Sequence, residues 1–209
     1  FEIKQSTSDQ NIAVITPTRT ISGIPSPYAV VRCSDAQLLV TSPSTNSVWV
    51  ANPLNGTVVA TIRVGAQPYA VACGLVSDAD AWVSNYGDNS VSLLNLHTYT
   101  VTRTIPNVPG SRSLHGINTL FFGPGQGEAW VAGTDANLVT RLSLDTFAPL
   151  GALPIPAPTS VTFSSAPAGT VGGVASTLGN TVTSIYVAGL TVVAAPQVPT
   201  PLDLIPHPF

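Results

Sequence analysis

Two stretches of the chain repeat each other without a gap: LLVTSPSTNSVWVANPLNGTVVATI at 38–62 and AWVSNYGDNSVSLLNLHTYTVTRTI at 81–105. At this offset of 43 residues, Asn46 meets Asn89 and both stretches end on Thr-Ile. A further copy, AWVAGTDANLVTRLSLDTF, occupies residues 129–147. Self-similarity at an interval of about 40–50 residues is typical of repeat architectures, in which each unit packs on its neighbours.

Each unit contains four short runs of residues that favour β-strands. In the second unit they are Pro68–Cys73, Ala81–Ser84, Ser90–Asn95 and Thr100–Ile105. Asn, Asp and Gly cluster between these runs, which indicates tight turns between antiparallel strands. No window keeps a helical periodicity for more than two turns. Four-stranded antiparallel sheets repeated at this interval predict an all-β fold, the β-propeller.

The repeat resembles the YVTN family of β-propeller proteins. The family pattern is matched by Trp82-Val83-Ser84-Asn85, by Ser90-Val91 and by Thr104-Ile105. It is matched again by Pro68-Tyr69-Ala70-Val71, which repeats Pro27-Tyr28-Ala29-Val30. The resemblance covers about residues 11–163 and implies a secreted or surface-bound protein. The family includes surface-layer proteins and lactonase-like propellers.

The number of blades predicted from the sequence is four to five. Innermost strands are expected at Pro27–Cys33, Pro68–Cys73, Leu114–Phe122 and Pro158–Phe163. One blade is expected to be composite, with two strands from each end of the chain: residues 12–15 and 18–22, and residues 158–163 and 184–189. A fifth blade would form if residues 171–177 and 191–195 add further strands. An open arc of blades is the alternative. The domain prediction is an N-terminal extension at 1–10, blades at 11–189 and a Pro-rich extended tail at 190–209.

Composition excludes several classes of protein. The 209 residues include only 7 Lys and Arg, too few for the basic patch that a nucleic-acid-binding protein needs. No apolar stretch is long enough for a transmembrane helix. Charged residues make up 8% of the chain, whereas 24 Thr and 20 Ser make it rich in hydroxyl groups. The chain begins at Phe1 and has no Met, which indicates either a removed signal peptide or a fragment.

The two cysteines are predicted to form a disulfide. Cys33 lies one position beyond the repeat equivalent of Cys73, so the two side chains point to opposite faces of their own sheets. Opposite faces of adjacent blades meet, so the two sulfur atoms can come together. A bond between them would close the loop from Cys33 to Cys73 and add about 3–4 kcal/mol to the free energy of unfolding. Two buried free thiols are the alternative.

No catalytic residue, metal ligand or cofactor site is predicted. The three histidines lack metal-ligand spacing, and no nucleophile or phosphate-binding motif is present. Tyr28, Tyr69 and His115 share a position in the repeat alignment and are candidates to line a central channel, with a packing role as the alternative. Asn55-Gly56-Thr57 is a glycosylation sequon in a turn, so Asn55 is a candidate glycan site.

The tail carries apolar residues with no evident place in a blade. Five prolines favour an extended conformation over residues 194–209. We expect the apolar side chains of this segment to make assembly contacts, with docking inside the same molecule as the alternative; they are Leu202, Leu204, Ile205 and Phe209.

The predicted function is that of a non-catalytic, extracellular structural protein. Unpaired sheet edges and a charge-poor surface favour association with copies of the same chain, as a homo-oligomer, surface layer or filament joined through the termini. Two alternatives remain at this point. One is a monomeric propeller that binds a ligand or a protein, and the other is a lactonase-like enzyme.

Overall fold

The computed structural model describes residues 2–5, 13–16, 19–34, 36–74, 77, 79–117, 127–166, 169–186 and 191–194. These residues form 18 β-strands, numbered β1 to β18 in chain order, and two single-turn 3-10 helices at Pro43–Thr45 and Tyr86–Asp88. No α-helix occurs in the described ranges. The first two strands, β1 (Glu2–Gln5) and β2 (Ala13–Thr16), pair antiparallel as a separate hairpin.

The remaining strands form four four-stranded antiparallel sheets, blades 1 to 4, each in simple chain order. Blade 1 contains β3 (Val30–Ser34), β4 (Gln37–Ser42), β5 (Ser47–Ala51) and β6 (Val58–Arg63). Blade 2 contains β7 (Pro68–Cys73), β8 (Asp80–Asn85), β9 (Ser90–Asn95) and β10 (Thr100–Ile105). Blade 3 contains β11 (Ser111–Ile117), β12 (Glu128–Gly133), β13 (Leu138–Ser143) and β14 (Pro149–Pro154). Blade 4 contains β15 (Pro158–Ala166), β16 (Gly169–Ser176), β17 (Thr181–Tyr186) and β18 (Thr191–Ala194).

The hydrophobic core consists of three layers, one between each pair of consecutive blades. Alternate residues of a strand point to opposite faces, so each blade contributes to the layer before it and to the layer after it. In blade 2, Val83 packs towards blade 1, whereas its neighbour Trp82 packs towards blade 3. Trp82 and its repeat equivalent Trp130 are both fully buried. The stacking of blades therefore explains why the repeat keeps an apolar residue on both faces of its central strands.

The prediction of an all-β propeller of four to five blades is confirmed, with four blades in the described residues, and the composite blade is wrong. All four strands of blade 4 come from residues 158–194, and β2 pairs with β1 instead of joining blade 4. Residues 19–22 are not a strand. Within the described part of the chain, contacts run from blade 1 through to blade 4 without closing a ring. The alternative of an open arc is therefore the one observed.

Candidate functional site

A repeated asparagine fixes each linker between blades. Asn89, in the turn between the second and third strands of blade 2, has a left-handed backbone with φ 53°. Its side-chain Oδ1 accepts a hydrogen bond from the Gly110 N–H at 2.7 Å, and its backbone carbonyl accepts one from the Val108 N–H at 2.8 Å. Both donors lie in the linker that leads into blade 3. The same side-chain bond joins Asn46 to Gln67 and Asn137 to Ala157.

The linker half of this clamp also has a fixed conformation. The residue whose N–H reaches the asparagine has a positive φ at every joint, 51° at Gln67, 63° at Gly110 and 39° at Ala157. Asparagine and glycine tolerate the left-handed region better than other residues do. We call the pair, a left-handed Asn and the positive-φ linker residue of the next blade, the asparagine clamp. The repeated Asn was visible in the sequence, but its partner lies about 20 residues away and belongs to another blade.

Replacing Asn89 by Gly tests the clamp. Gly keeps the left-handed backbone but removes the acceptor of the buried Gly110 N–H, so we expect a loss of about 1–2 kcal/mol in the free energy of unfolding. Urea denaturation measures the change, because its midpoint moves with stability. The matched control, measured at a concentration where the protein is monomeric, is Asn180→Gly, which removes an equivalent side chain that holds no linker among the described residues. Equal losses in the two variants would contradict the clamp.

The two ends of the blade array each carry half of a clamp. Asn180, in blade 4, is exposed and has φ 47°, like the three asparagines that hold linkers. Ser26, in the linker before blade 1, has φ 42°, like the three linker residues that are held. No blade precedes blade 1 in the described chain, and no linker follows blade 4 there. Within the described residues, Asn180 therefore holds no linker and the Ser26 linker is held by no asparagine.

The outward face of blade 1 carries apolar side chains. Val31, Leu39 and Val48 pack towards blade 2, so their strand neighbours point the other way. Val30 on that outward face is 65% exposed, and Trp49 is half-buried. In blade 2 the equivalent face is the one that packs against blade 1. Val40 and Ala51 lie on the same outward face and are buried, so only the part of it around Val30 and Trp49 is open to solvent.

Cys33 and Cys73 form the predicted disulfide. Cys33 lies on β3 and Cys73 on β7, with 5.5 Å between their Cα atoms. The bond joins the innermost strands of blades 1 and 2 and borders the apolar layer between them. The alternating side-chain directions of the two strands bring the sulfur atoms together, as the sequence argument required.

Tyr28 and Tyr69 lie together, as their shared repeat position predicts. Their ring centroids are 4.6 Å apart in an edge-to-face arrangement, and Tyr86 continues the row 5.4 Å from Tyr69. The Tyr86 hydroxyl donates a hydrogen bond to the Asp135 carboxylate, which links blade 2 to blade 3. Sequence reasoning missed Tyr86, because it lies in a turn and has no aromatic counterpart in the neighbouring repeats.

His115 does not occupy the position of Tyr69. It pairs with Trp130, whereas the residue that pairs with the equivalent Trp82 is Ala72. The alignment on the Gly-Ile that follows His115 is therefore out of register, because the connection between the first two strands is longer in blade 3, from residue 117 to 128, than in blade 2, from residue 73 to 80. His115 remains on an innermost strand, and its role in lining a channel stays a prediction.

A cleft of about 450 Å³ lies between blades 2 and 3. Turns and linkers from both blades form its walls. Its lining includes Gln67, Tyr86 and Asn89 from the blade 2 side and Gly110 and Asp135 from the blade 3 side. The described residues contain no group of three or more His, Cys, Asp or Glu side chains placed to hold a metal ion.

The other predicted sites have mixed outcomes. Asn55 is exposed in a turn, and its Oδ1 accepts a hydrogen bond from the Thr57 hydroxyl at 2.7 Å. Glycosylation there stays a prediction.

Blade 4 reaches Ala194, beyond residue 189 where the blades were expected to end. No helix in the described ranges is long and apolar enough to cross a membrane. The predicted assembly residues of the tail lie outside the described residues; they are Leu202, Leu204, Ile205 and Phe209.

Comparison with known proteins identifies similar folds but no family. No protein-family model and no curated protein matches the chain. Among solved structures, Kuenenia stuttgartiensis hydrazine synthase superposes with a TM-score of 0.69 at 18% identity, over 90% of this chain and 53% of that one. Virginiamycin B lyase from Staphylococcus aureus gives 0.66 at 13% identity, over 86% and 58%.

A streptogramin B lyase structure gives a TM-score of 0.65 at 17% identity, over 84% of this chain and 55% of the other. The chain thus spans about half the length of the structures it matches. Likeness at this level of identity concerns the fold alone. Together with the four stacked antiparallel sheets, it identifies the chain as a β-propeller fold whose array of blades is open.

Proposed function

We propose that this chain is a non-catalytic structural module that joins protein chains through the open ends of its blade array. One observation carries the proposal: in the described part of the chain, each end of the array has one half of the asparagine clamp that holds consecutive blades together. Asn180 at one end and the Ser26 linker at the other have the same backbone conformations as the paired halves inside the array. A surface built to pack against another blade favours a binding partner that presents one.

An extracellular location is part of the proposal. A disulfide between two blades favours an oxidising compartment, because cytosolic thiols are kept reduced. The chain has only 8% charged residues, so a surface of mostly neutral hydroxyl groups would meet a partner with little charge repulsion. Both features suit a secreted or surface-bound assembly protein such as those of the YVTN family.

We also propose that the chain is non-catalytic. The structures superposed above include lyases, and their identity to this chain is too low to carry an activity over. In the cleft between blades 2 and 3, the Asp135 carboxylate already accepts a hydrogen bond from the Tyr86 hydroxyl across the joint. This contact supports a structural use of the two side chains, as one more bond between neighbouring blades.

Sedimentation equilibrium over a concentration series tests the proposal. We expect the mass to rise above the 21.5 kDa of one chain as the concentration increases, because the open faces become covered by protein. The disulfide must be intact in this experiment, since it holds blade 1 in place. A constant mass of one chain up to millimolar concentration would overturn the proposed function.

Ligand binding in the cleft between blades 2 and 3 is the second candidate function. The cleft has a volume in the range of small-molecule sites, and Tyr86, Gln67 and Asn89 offer it polar groups. A monomeric binding protein would keep the mass of one chain in the sedimentation series. A change of the Tyr86 chemical shift on addition of a ligand would then favour this candidate.

A further inference from the structure

The cleft between blades 2 and 3 lies at one end of the blades, where the linkers enter and the turns between second and third strands lie. Blade 2 contributes the turn that contains Tyr86, and blade 3 contributes the turn that contains Asp135. The linkers contribute Gln67 before blade 2 and Gly110 before blade 3. With a volume of about 450 Å³, the cleft is within the size range of small-molecule binding sites.

Backbone hydrogen bonds hold the walls of the cleft in place. The Tyr86 N–H donates to the Gln67 carbonyl at 3.0 Å, and the Thr134 N–H donates to the Gly110 carbonyl at 3.2 Å. Each of these bonds joins a turn to the linker that precedes its own blade. The asparagine clamp adds the bond from Gly110 to Asn89, which joins blade 3 to blade 2. The cleft is therefore preformed, so a ligand can bind with little ordering of the backbone.

The exposed side chains of the cleft are polar. Gln67 and Asn89 carry amide groups that donate and accept hydrogen bonds, and Asp135 carries a carboxylate. One oxygen of Asp135 accepts the hydrogen bond from the Tyr86 hydroxyl, and a carboxylate has further acceptor positions. Among the described residues that line the cleft, none is Lys, Arg or His. The carboxylate would therefore repel an anionic ligand.

Three aromatic rings, which we call the tyrosine row, lead away from the cleft across the same end of blades 2 and 1. Tyr86 forms part of the cleft wall, and its ring centroid lies 5.4 Å from that of Tyr69. Tyr28 follows at 4.6 Å from Tyr69 and is 62% exposed. Its N–H donates to the Thr41 carbonyl at 2.9 Å, which fixes its backbone beside blade 1. An exposed ring on a fixed backbone is a surface on which a ligand can stack.

A neutral sugar chain combines the properties that this surface requires of a ligand. The faces of a sugar ring carry C–H groups, whose partial positive charge is attracted by the negative face of an aromatic ring. The rim of the sugar consists of hydroxyl groups, which donate to the carboxylate and both donate to and accept from the amides of the cleft. A ligand that covers the cleft and the tyrosine row together must be extended, as an oligosaccharide is.

An organic cation is the competing ligand, because aromatic rings and a carboxylate also attract positive charge. Such a cation binds best where several ring faces surround it, each centroid within about 6 Å. In the tyrosine row the neighbouring rings contact each other edge to face, with interplanar angles of 86° and 89°. No space for a cation therefore lies between them, and the geometry favours the neutral ligand.

We propose that the cleft and the tyrosine row form one binding site for a neutral polysaccharide chain. One sugar unit occupies the cleft, where it bonds to the side chains of Gln67, Asn89 and Asp135. The chain continues along the tyrosine row and stacks on Tyr28. This inference goes beyond the proposed assembly function, because it requires only one copy of the chain, and it names the ligand class of the second candidate function.

Nuclear magnetic resonance titration of the isotope-labelled protein is the main test. The probes are cellohexaose, maltohexaose and N-acetylchitohexaose, which are neutral and differ in linkage and substituents. We expect at least one of them to shift the side-chain amide signals of Gln67 and Asn89 and the backbone amide signal of Gly110. Tetramethylammonium chloride, the probe for a cationic ligand, should leave these signals unchanged. No shift with any hexasaccharide, or a shift with tetramethylammonium, overturns the inference.

Two substitutions of Tyr28 distinguish ring stacking from simple apolar contact. We expect Tyr28→Leu to weaken hexasaccharide binding about tenfold, the effect of one lost ring contact. Tyr28→Phe keeps the ring and should bind within about threefold of the wild-type protein. The matched control is Leu54→Ala, at a 68% exposed residue in a turn at the opposite end of blade 1, and it should not change binding. Equal losses in the Leu and Phe variants contradict stacking on Tyr28.

Gln67→Gly tests the cleft part of the site. Gly110 occupies the equivalent position at the next joint, so glycine suits the φ of 51° and keeps the N–H that donates to the Asn46 Oδ1. The substitution therefore removes only the side-chain amide, and we expect binding to weaken about fivefold, the effect of one neutral hydrogen bond. Urea denaturation verifies that the variant remains folded. Unchanged binding would overturn the placement of a sugar unit in the cleft.

The outcomes separate this inference from the proposed assembly function. A protein that binds none of the hexasaccharides overturns the sugar site, whether or not its mass rises with concentration. A constant mass of one chain overturns the assembly function and leaves the sugar site standing.

Discussion

Replacing both cysteines by serine is expected to lower the free energy of unfolding by about 4 kcal/mol. The bond joins residues 40 positions apart, so its removal returns the entropy of a long loop to the unfolded chain. For a chain of this length, about 4 kcal/mol corresponds to a fall in Tm of roughly 8–16 °C. Calorimetry of the wild-type and double-serine proteins, at a concentration where both are monomeric, measures the difference.

The location of the bond adds a structural expectation. Blade 1 ends the array, and the disulfide ties its innermost strand to blade 2. Without the bond, hydrogen exchange should accelerate first in β3 and β4 and later in blade 3. Reductant should bring the wild-type protein to the stability of the double-serine variant and leave the variant unchanged. A loss below about 1 kcal/mol would contradict this account of the bond.

The sequence predicted blade 2 with the correct strand bounds within one residue. Its strands use Val, Ile, Thr and Trp, and Asn and Gly mark each turn, so local preference and repeat agreed. The disulfide could be predicted equally well, because the prediction needed only the alternation of side-chain directions along two strands. Blade 4 was harder. Its second strand, Gly169–Ser176, contains three glycines and lacks the Trp-Val of blades 2 and 3, so it looks unlike its equivalents.

The candidate site could be predicted only in part. The repeated Asn and the linker residues are visible in the sequence, but a clamp is a contact across a joint. It requires the backbone conformation of both halves, and no local pattern in the sequence specifies that Ser26 and Gln67 share a positive φ.

Trp82→Ala is expected to cost about 3–5 kcal/mol, which is a large share of the stability of a typical domain. The indole of Trp82 is fully buried in the apolar layer between blades 2 and 3, and Phe147 lies 5.8 Å away between ring centroids. Its Nε1–H donates to the Asp80 carboxylate at 2.9 Å, so truncation also removes a charge-assisted hydrogen bond. Equilibrium unfolding in guanidinium chloride measures the loss.

Trp49→Ala is the matched comparison, because it deletes the same side chain from the outward face of blade 1, where Trp49 is half-buried. Trp49 is half-buried and its indole N–H is 3.4 Å from the Thr45 hydroxyl, so we expect its removal to cost about 1 kcal/mol in the dilute monomer. At concentrations where the proposed assembly forms, the cost of Trp49→Ala should grow, because association through this face stabilises only the wild-type chain. The cost of Trp82→Ala should instead remain constant with concentration. Equal costs for the two substitutions in the monomer would mean that the outward face of blade 1 is covered by the chain itself.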